Sequence, residues 1–169
     1  MDIQDLLNEI ANKLPRIGNI IYQIRFEKIK LDEDIAFLQG TTIFYTDKLL
    51  SDFSFDEQVF IIAHEIMHYL IHMYDNKKKL LKYDKDLLNF TEDAQINQIL
   101  ISQHFIPPKG IIILTDALNY SFEELYNKLY KIKKELLYED NWANFSSVTE
   151  LEALSQHQLN PTTDDYGNR

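Results

Sequence analysis

Ala63-His64-Glu65-Ile66-Met67-His68 reads H-E-x-x-H inside a run of helix-forming residues. Two histidines four positions apart lie one turn apart on one helix face, where two imidazole nitrogens can reach a single Zn²⁺. Glu65 projects beside them, close enough to take a proton from a water at that metal. The flanking Phe60, Ile61, Ile62, Ile66, Tyr69, Leu70 and Ile71 are apolar nearly all round, so the pattern predicts a central, buried helix. Two imidazoles and a carboxylate are costly in such a helix unless something satisfies them, and a metal would. Chance and a metal-free histidine pair are the bland alternatives; the helical context the motif requires favours the metal. His72 continues the i+4 series one turn beyond His68. It is expected at the cleft rim or in the core rather than on the same ion.

The bulk composition narrows what such a site can be. A chain of 169 residues, 45% hydrophobic and 26% charged, has the size of one domain with a proper core. A net charge of −10 opposes non-specific nucleic-acid binding and attachment to an anionic membrane surface. The absence of cysteine excludes disulfides and thiolate-held zinc. Any zinc must then sit on histidine and carboxylate, the donor set more common in catalytic than in structural sites. Met1-Asp2-Ile3-Gln4-Asp5 has no basic character and no long apolar run follows, so no signal peptide, no membrane span and a cytoplasmic location are expected.

Around the motif the chain alternates periodic runs and breaks. Ile3, Leu6, Leu7, Ile10 and Leu14 predict an amphipathic helix over 2–14, stopped at Pro15. Ile20, Tyr22, Ile24 and Phe26 alternate with their neighbours as in a strand. Asp32-Glu33-Asp34 reads as a turn, and residues 36–46 as a hairpin turning at Gly40. Ser54 with Glu57 forms a capping box that starts the motif helix near Phe55 and carries it to about Met73. Asn76-Lys77-Lys78-Lys79 reads as a solvated loop. A second long helix is expected from Asp86 to His104, ended by Pro107-Pro108 and Gly110. Ile111–Leu114 is a small strand or a buried loop. Ser121 with Glu124 opens a helix to about Tyr138, and Ser147 with Glu150 a short last one before a polar tail from Asn160.

The order helix, small sheet, H-E-x-x-H helix and second helix with a carboxylate resembles the zincin metallopeptidases. It is closer still to the predicted metallopeptidase domain that precedes von Willebrand A-like domains in bacterial proteins. Gly40-Thr41-Thr42-Ile43-Phe44-Tyr45, Phe55-Asp56-Glu57, the motif itself and Leu88-Asn89-Phe90-Thr91-Glu92-Asp93-Ala94-Gln95-Ile96-Asn97 carry the likeness. So do Ile106-Pro107-Pro108-Lys109-Gly110 and Tyr120-Ser121-Phe122-Glu123-Glu124-Leu125-Tyr126, over about residues 36–130. The resemblance implies an α+β, zincin-like fold, with a small, mostly antiparallel sheet packed on the central helix among several further helices. Residues 1–143 would form the domain, and 144–169 a short C-terminal helix and tail. It also implies a zinc site of His64, His68 and Asp93, with Glu65 as general base. The strand near Ile43–Thr46 could hold an extended peptide by β-addition. One departure is that the family's further histidine falls near Met73, whereas here it is His72.

Register arguments add to this set. At about 100° per residue, Asp93, Asn97, Leu100 and His104 share one side of the second helix, toward the core. Thr91, Gln95, Gln98 and Ser102 make an uncharged stripe expected on the solvent side. A carboxylate on the core side needs a cation, and Asn97 could hydrogen-bond the free nitrogen of a ligating histidine. The leading expectation is a zinc hydrolase that cleaves peptide or protein substrates. An oxyanion stabiliser would come from Tyr45, Tyr69, His72, Tyr120 or His157. The alternative is a catalytically silent metal-binding module for an unidentified protein partner. Glu65 separates the two, since a structural zinc has no use for a base beside its ligands.

Overall fold

The computed structural model describes residues 2–74, 82–135 and 146–159. The fold class is α+β: helices dominate and a three-stranded sheet accompanies them. The chain divides into two units, one of residues 1–80 and 99–109, the other of residues 81–98 and 110–169.

The first unit opens with α1 (Ile3–Lys13), whose Leu6, Leu7 and Ile10, three, four and seven residues after Ile3, are buried on one face. Asp5 accepts a hydrogen bond from the Asp2 N–H at 3.3 Å at the helix start. Pro15 then begins a 3₁₀ turn (Pro15–Ile17) that runs into a single helical turn, α2 (Gly18–Ile21). The strand expected over 20–27 is therefore shorter, and β1 is Arg25–Lys28 alone. The reason lies in Ile21 and Ile24. They are three apart, both are buried, and a helical turn puts both inward where a strand would face them apart.

β2 (Ala36–Gln39) and β3 (Thr42–Tyr45) form the expected hairpin, with Gln39 opposite Thr42 and a two-residue loop between them. Gly40, first in that loop, takes φ 63°, a conformation glycine adopts without a Cβ penalty. Phe37 and Phe44 stand opposite each other with rings stacked 5.3 Å apart. The sheet order is β1-β3-β2, with β1 parallel and β2 antiparallel to β3. The sheet is thus mixed rather than mostly antiparallel. Residues 29–35 carry the chain past β3's position, so the hairpin returns β3 to the centre, alongside β1. This also corrects the peptide-binding expectation. Both sides of β3 are taken by β1 and β2, so Ile43–Tyr45 has no edge left for β-addition.

Thr46 pins the incoming loop, its hydroxyl donating to Asp34 O at 2.7 Å and its N–H to Ile35 O at 3.1 Å. α3 (Asp47–Asp52) follows and was not anticipated. α4 (Phe55–Tyr74) starts on the predicted box: Glu57 accepts from the Ser54 N–H at 3.0 Å, and Ser54 Oγ accepts from the Glu57 N–H at 3.3 Å. The buried Gln58 reaches back, its amide donating to Phe53 O at 2.8 Å and capping the end of α3. α1 and β2 both pack on α4. Its first half is buried through Val59, Phe60, Ile62, Ala63 and Ile66. Past His68 it opens, with Leu70 and Ile71 half-buried and Met73 exposed, so the helix is not buried all round.

α5 (Lys85–Ser102) runs from the second unit into the first. It begins on Asp84, whose carboxylate accepts from the Leu87 N–H at 2.9 Å. It ends in a Schellman motif, in which Phe105 N–H reaches Leu100 O at 3.0 Å and His104 N–H reaches Ile101 O at 3.0 Å. His104 occupies the left-handed position with φ 66° and is exposed, not on the core side. Lys13 Nζ donates to His104 O at 3.0 Å and lies 5.1 Å from the centre of the Phe105 ring.

In the second unit the expected solvent stripe of α5 is wrong. Thr91 is fully buried, its hydroxyl donating to Leu87 O at 2.7 Å, and the Gln95 amide donates to Tyr120 O at 3.0 Å. Residues 111–114 are a loop rather than a strand, with Leu114 buried. α6 (Phe122–Glu135) starts on the Ser121–Glu124 box and buries Leu125, Leu129 and Ile132. α7 (Val148–Leu159) is capped by Ser147 and also, across the unit, by Asp116, which accepts from the Val148 N–H at 2.7 Å. The basic run 76–79, Leu136–Tyr138 and the tail from Asn160 lie outside the described residues.

Candidate metal centre

His64 and His68 fall on successive turns of α4, Glu65 follows His64 directly, and all three are half-buried. The Nε2 atoms of His64 and His68 stand 3.0 Å apart, with the rings 4.7 Å apart at 72°. Two nitrogens bonded tetrahedrally to one zinc at 2.0–2.1 Å would be separated by about 3.3 Å. The pair is within a few tenths of an ångström of that spacing, and its two donors are of the type zinc takes, so the residues fit the ion. The same separation suits a hydrogen bond between the rings when no metal is bound, the donor set by the tautomer.

The next turn extends the row. His72 is exposed and its ring lies 5.9 Å from that of His68, at 67°. His72 also lines a cleft of about 470 Å³ with Leu38, Gly40, Thr41, Tyr69 and Met73, all in the first unit. The expectation that His72 sits at a cleft rim holds. Only the fold shows that the hairpin tip and the end of α4 share this opening.

Asp93 and Asn97 lie on the second unit's part of α5. Asp93 is half-buried, and its neighbour Glu92 is more enclosed, at 1% exposure. Asn97 is buried, and its Nδ2 donates to Ile112 O at 2.9 Å, which commits one of its amide hydrogens to the 111–114 loop. Among the other oxyanion candidates, Tyr45 is half-buried on β3 and burial pushes its hydroxyl above the usual tyrosine value, with Asp2 adding to the rise. Tyr120 lies in the second unit, 5.2 Å below the Lys128 ammonium. The His157 side chain is outside the described residues.

A sequence family described as "Putative metallopeptidase domain" matches residues 3–164. The chain belongs to this family. Membership supports a metal-dependent, peptidase-like function, and it agrees with the zincin-type resemblance of the sequence. No curated protein and no solved structure matches the chain. No helix among the described residues is long and apolar enough to cross a membrane.

Proposed function

We propose that this metallopeptidase-family chain is a zinc-dependent hydrolase of peptide bonds, with the ion held by His64, His68 and Asp93. The observation that carries the reading is the 3.0 Å spacing of the two imidazole nitrogens with Glu65 between them on the same helix. Each of the three ligands offers one donor atom of a kind zinc takes. Zinc, when bound, supplies Lewis acidity that polarises a carbonyl and acidifies water. Glu65 takes the proton of the attacking water on its carboxylate and returns it to the leaving amine. The substrate would approach by the cleft that His72 and Tyr69 line, where either side chain could donate to the developing oxyanion.

The ligand assignment is tested by zinc affinity. Asp93→Ala is expected to weaken binding by about tenfold or more, which is 1.4 kcal/mol or more. Glu92→Gln, which keeps shape and removes charge, is expected to leave it nearly unchanged. Loss from Glu92→Gln alone would overturn the Asp93 assignment and make Glu92 the third ligand.

A further inference from the structure

α4 carries two overlapping histidine pairs, not one. His64 and His68 form the first; His68 and His72 repeat its i, i+4 geometry one turn later. The two ring crossings are alike, 72° and 67°, with centroids 4.7 and 5.9 Å apart. The ligand nitrogens of His68 and His72 lie within 4.8 Å of each other. His72 is exposed, and its ring is already turned toward that of His68.

We infer that His68 and His72 form a second seat for a divalent transition cation, which takes the ion when His64 does not hold it. This rests on the proposed zinc site, because His68 serves both seats and only one can be filled at a time. The seats differ in what they can do. The helix rises 1.5 Å per residue, so an ion on the second pair lies about 6 Å farther along α4, away from Glu65. The second seat therefore holds metal away from Glu65, the proposed general base. Imidazole pairs favour zinc, nickel and copper over magnesium or calcium, so the class of ligand is a borderline transition cation.

The experiment is zinc titration by calorimetry and metal analysis on wild type, His64→Ala, His64→Gln, His72→Ala and the double variant His64→Ala/His72→Ala, each checked for folding by circular dichroism. The single His64 variants are expected to keep about one zinc at affinity reduced about tenfold or more, and the double variant to lose at least a further tenfold. His72→Ala alone is expected to bind as wild type does. Equal binding by His64→Ala and the double variant would overturn the second seat while leaving the first intact. A wild-type chain that takes up no zinc would overturn both. Hydrolysis is not needed for any of these readouts.

Discussion

His64 Nε2 and His68 Nε2 face each other across 3.0 Å, a separation that serves a ring-to-ring hydrogen bond and a shared metal ion equally. Their i, i+4 spacing turns both side chains to one side of α4. A metal ion held by this pair would ask neither ring to move far, because the helix already sets their spacing.

Metal removal should therefore cost stability rather than fold. A ligand that binds only the native state, at a free concentration about a thousand times its Kd, stabilises by about 4 kcal/mol. Thermal unfolding of purified protein is expected to shift down on chelation and return on adding zinc. The shift should be absent in His68→Ala. A melting temperature indifferent to chelator in wild type would count against a bound metal.

His104 offers an independent test of the backbone. It takes φ 66° in a position that glycine usually fills in helices that end this way. The left-handed conformation costs an L-residue about 1–2 kcal/mol, and glycine's extra unfolded-state freedom returns part of that. His104→Gly is expected to stabilise by about 0.5–1 kcal/mol, read as a higher denaturant midpoint with unchanged slope. Destabilisation instead would mean that the His104 side chain contributes more than its backbone strain takes away.

The capping carboxylates contribute to the acid limb of stability. The Ser54 backbone N–H, then its hydroxyl, holds the Glu57 carboxyl below its ordinary value of 4.5. The Ser146 N–H and hydroxyl do the same for Glu150, and the Leu87 N–H does so for Asp84. A lowered folded value means the stabilisation is complete above the unfolded value and is lost as pH falls through the folded one. Wild type should melt above Glu57→Gln at pH 7, and the gap should close as the pH drops below about 4.5. A gap that stays constant down to pH 3 would contradict the charge-based cap.

What could be read from the residues divides by range. The boxes at Ser54–Glu57 and Ser121–Glu124, the Gly40 turn and the H-E-x-x-H helix were legible because each is a contact within four residues. Ile20–Phe26 misled because apolar residues there satisfy a strand period and a helical turn alike, and the α1 surface that α2 packs on lies outside that pattern. The parallel pairing of β1 with β3 depends on where seven linker residues lead the chain, which no local pattern records. Gln95 looked solvated because its partner, the Tyr120 carbonyl 25 residues away, is invisible in sequence. The cleft beside His72 was equally hidden, since Leu38 and Met73 meet only in the fold.

The most direct test of the central claim is peptide hydrolysis by Glu65→Gln, measured by mass spectrometry on a defined peptide library beside its zinc content. The account predicts that wild type cleaves library peptides and that chelation stops it. It predicts that Glu65→Gln keeps about one zinc and the wild-type fold while its cleavage rate falls by about a hundredfold or more, the scale of a lost general base. Cleavage by Glu65→Gln at the wild-type rate would contradict the mechanism.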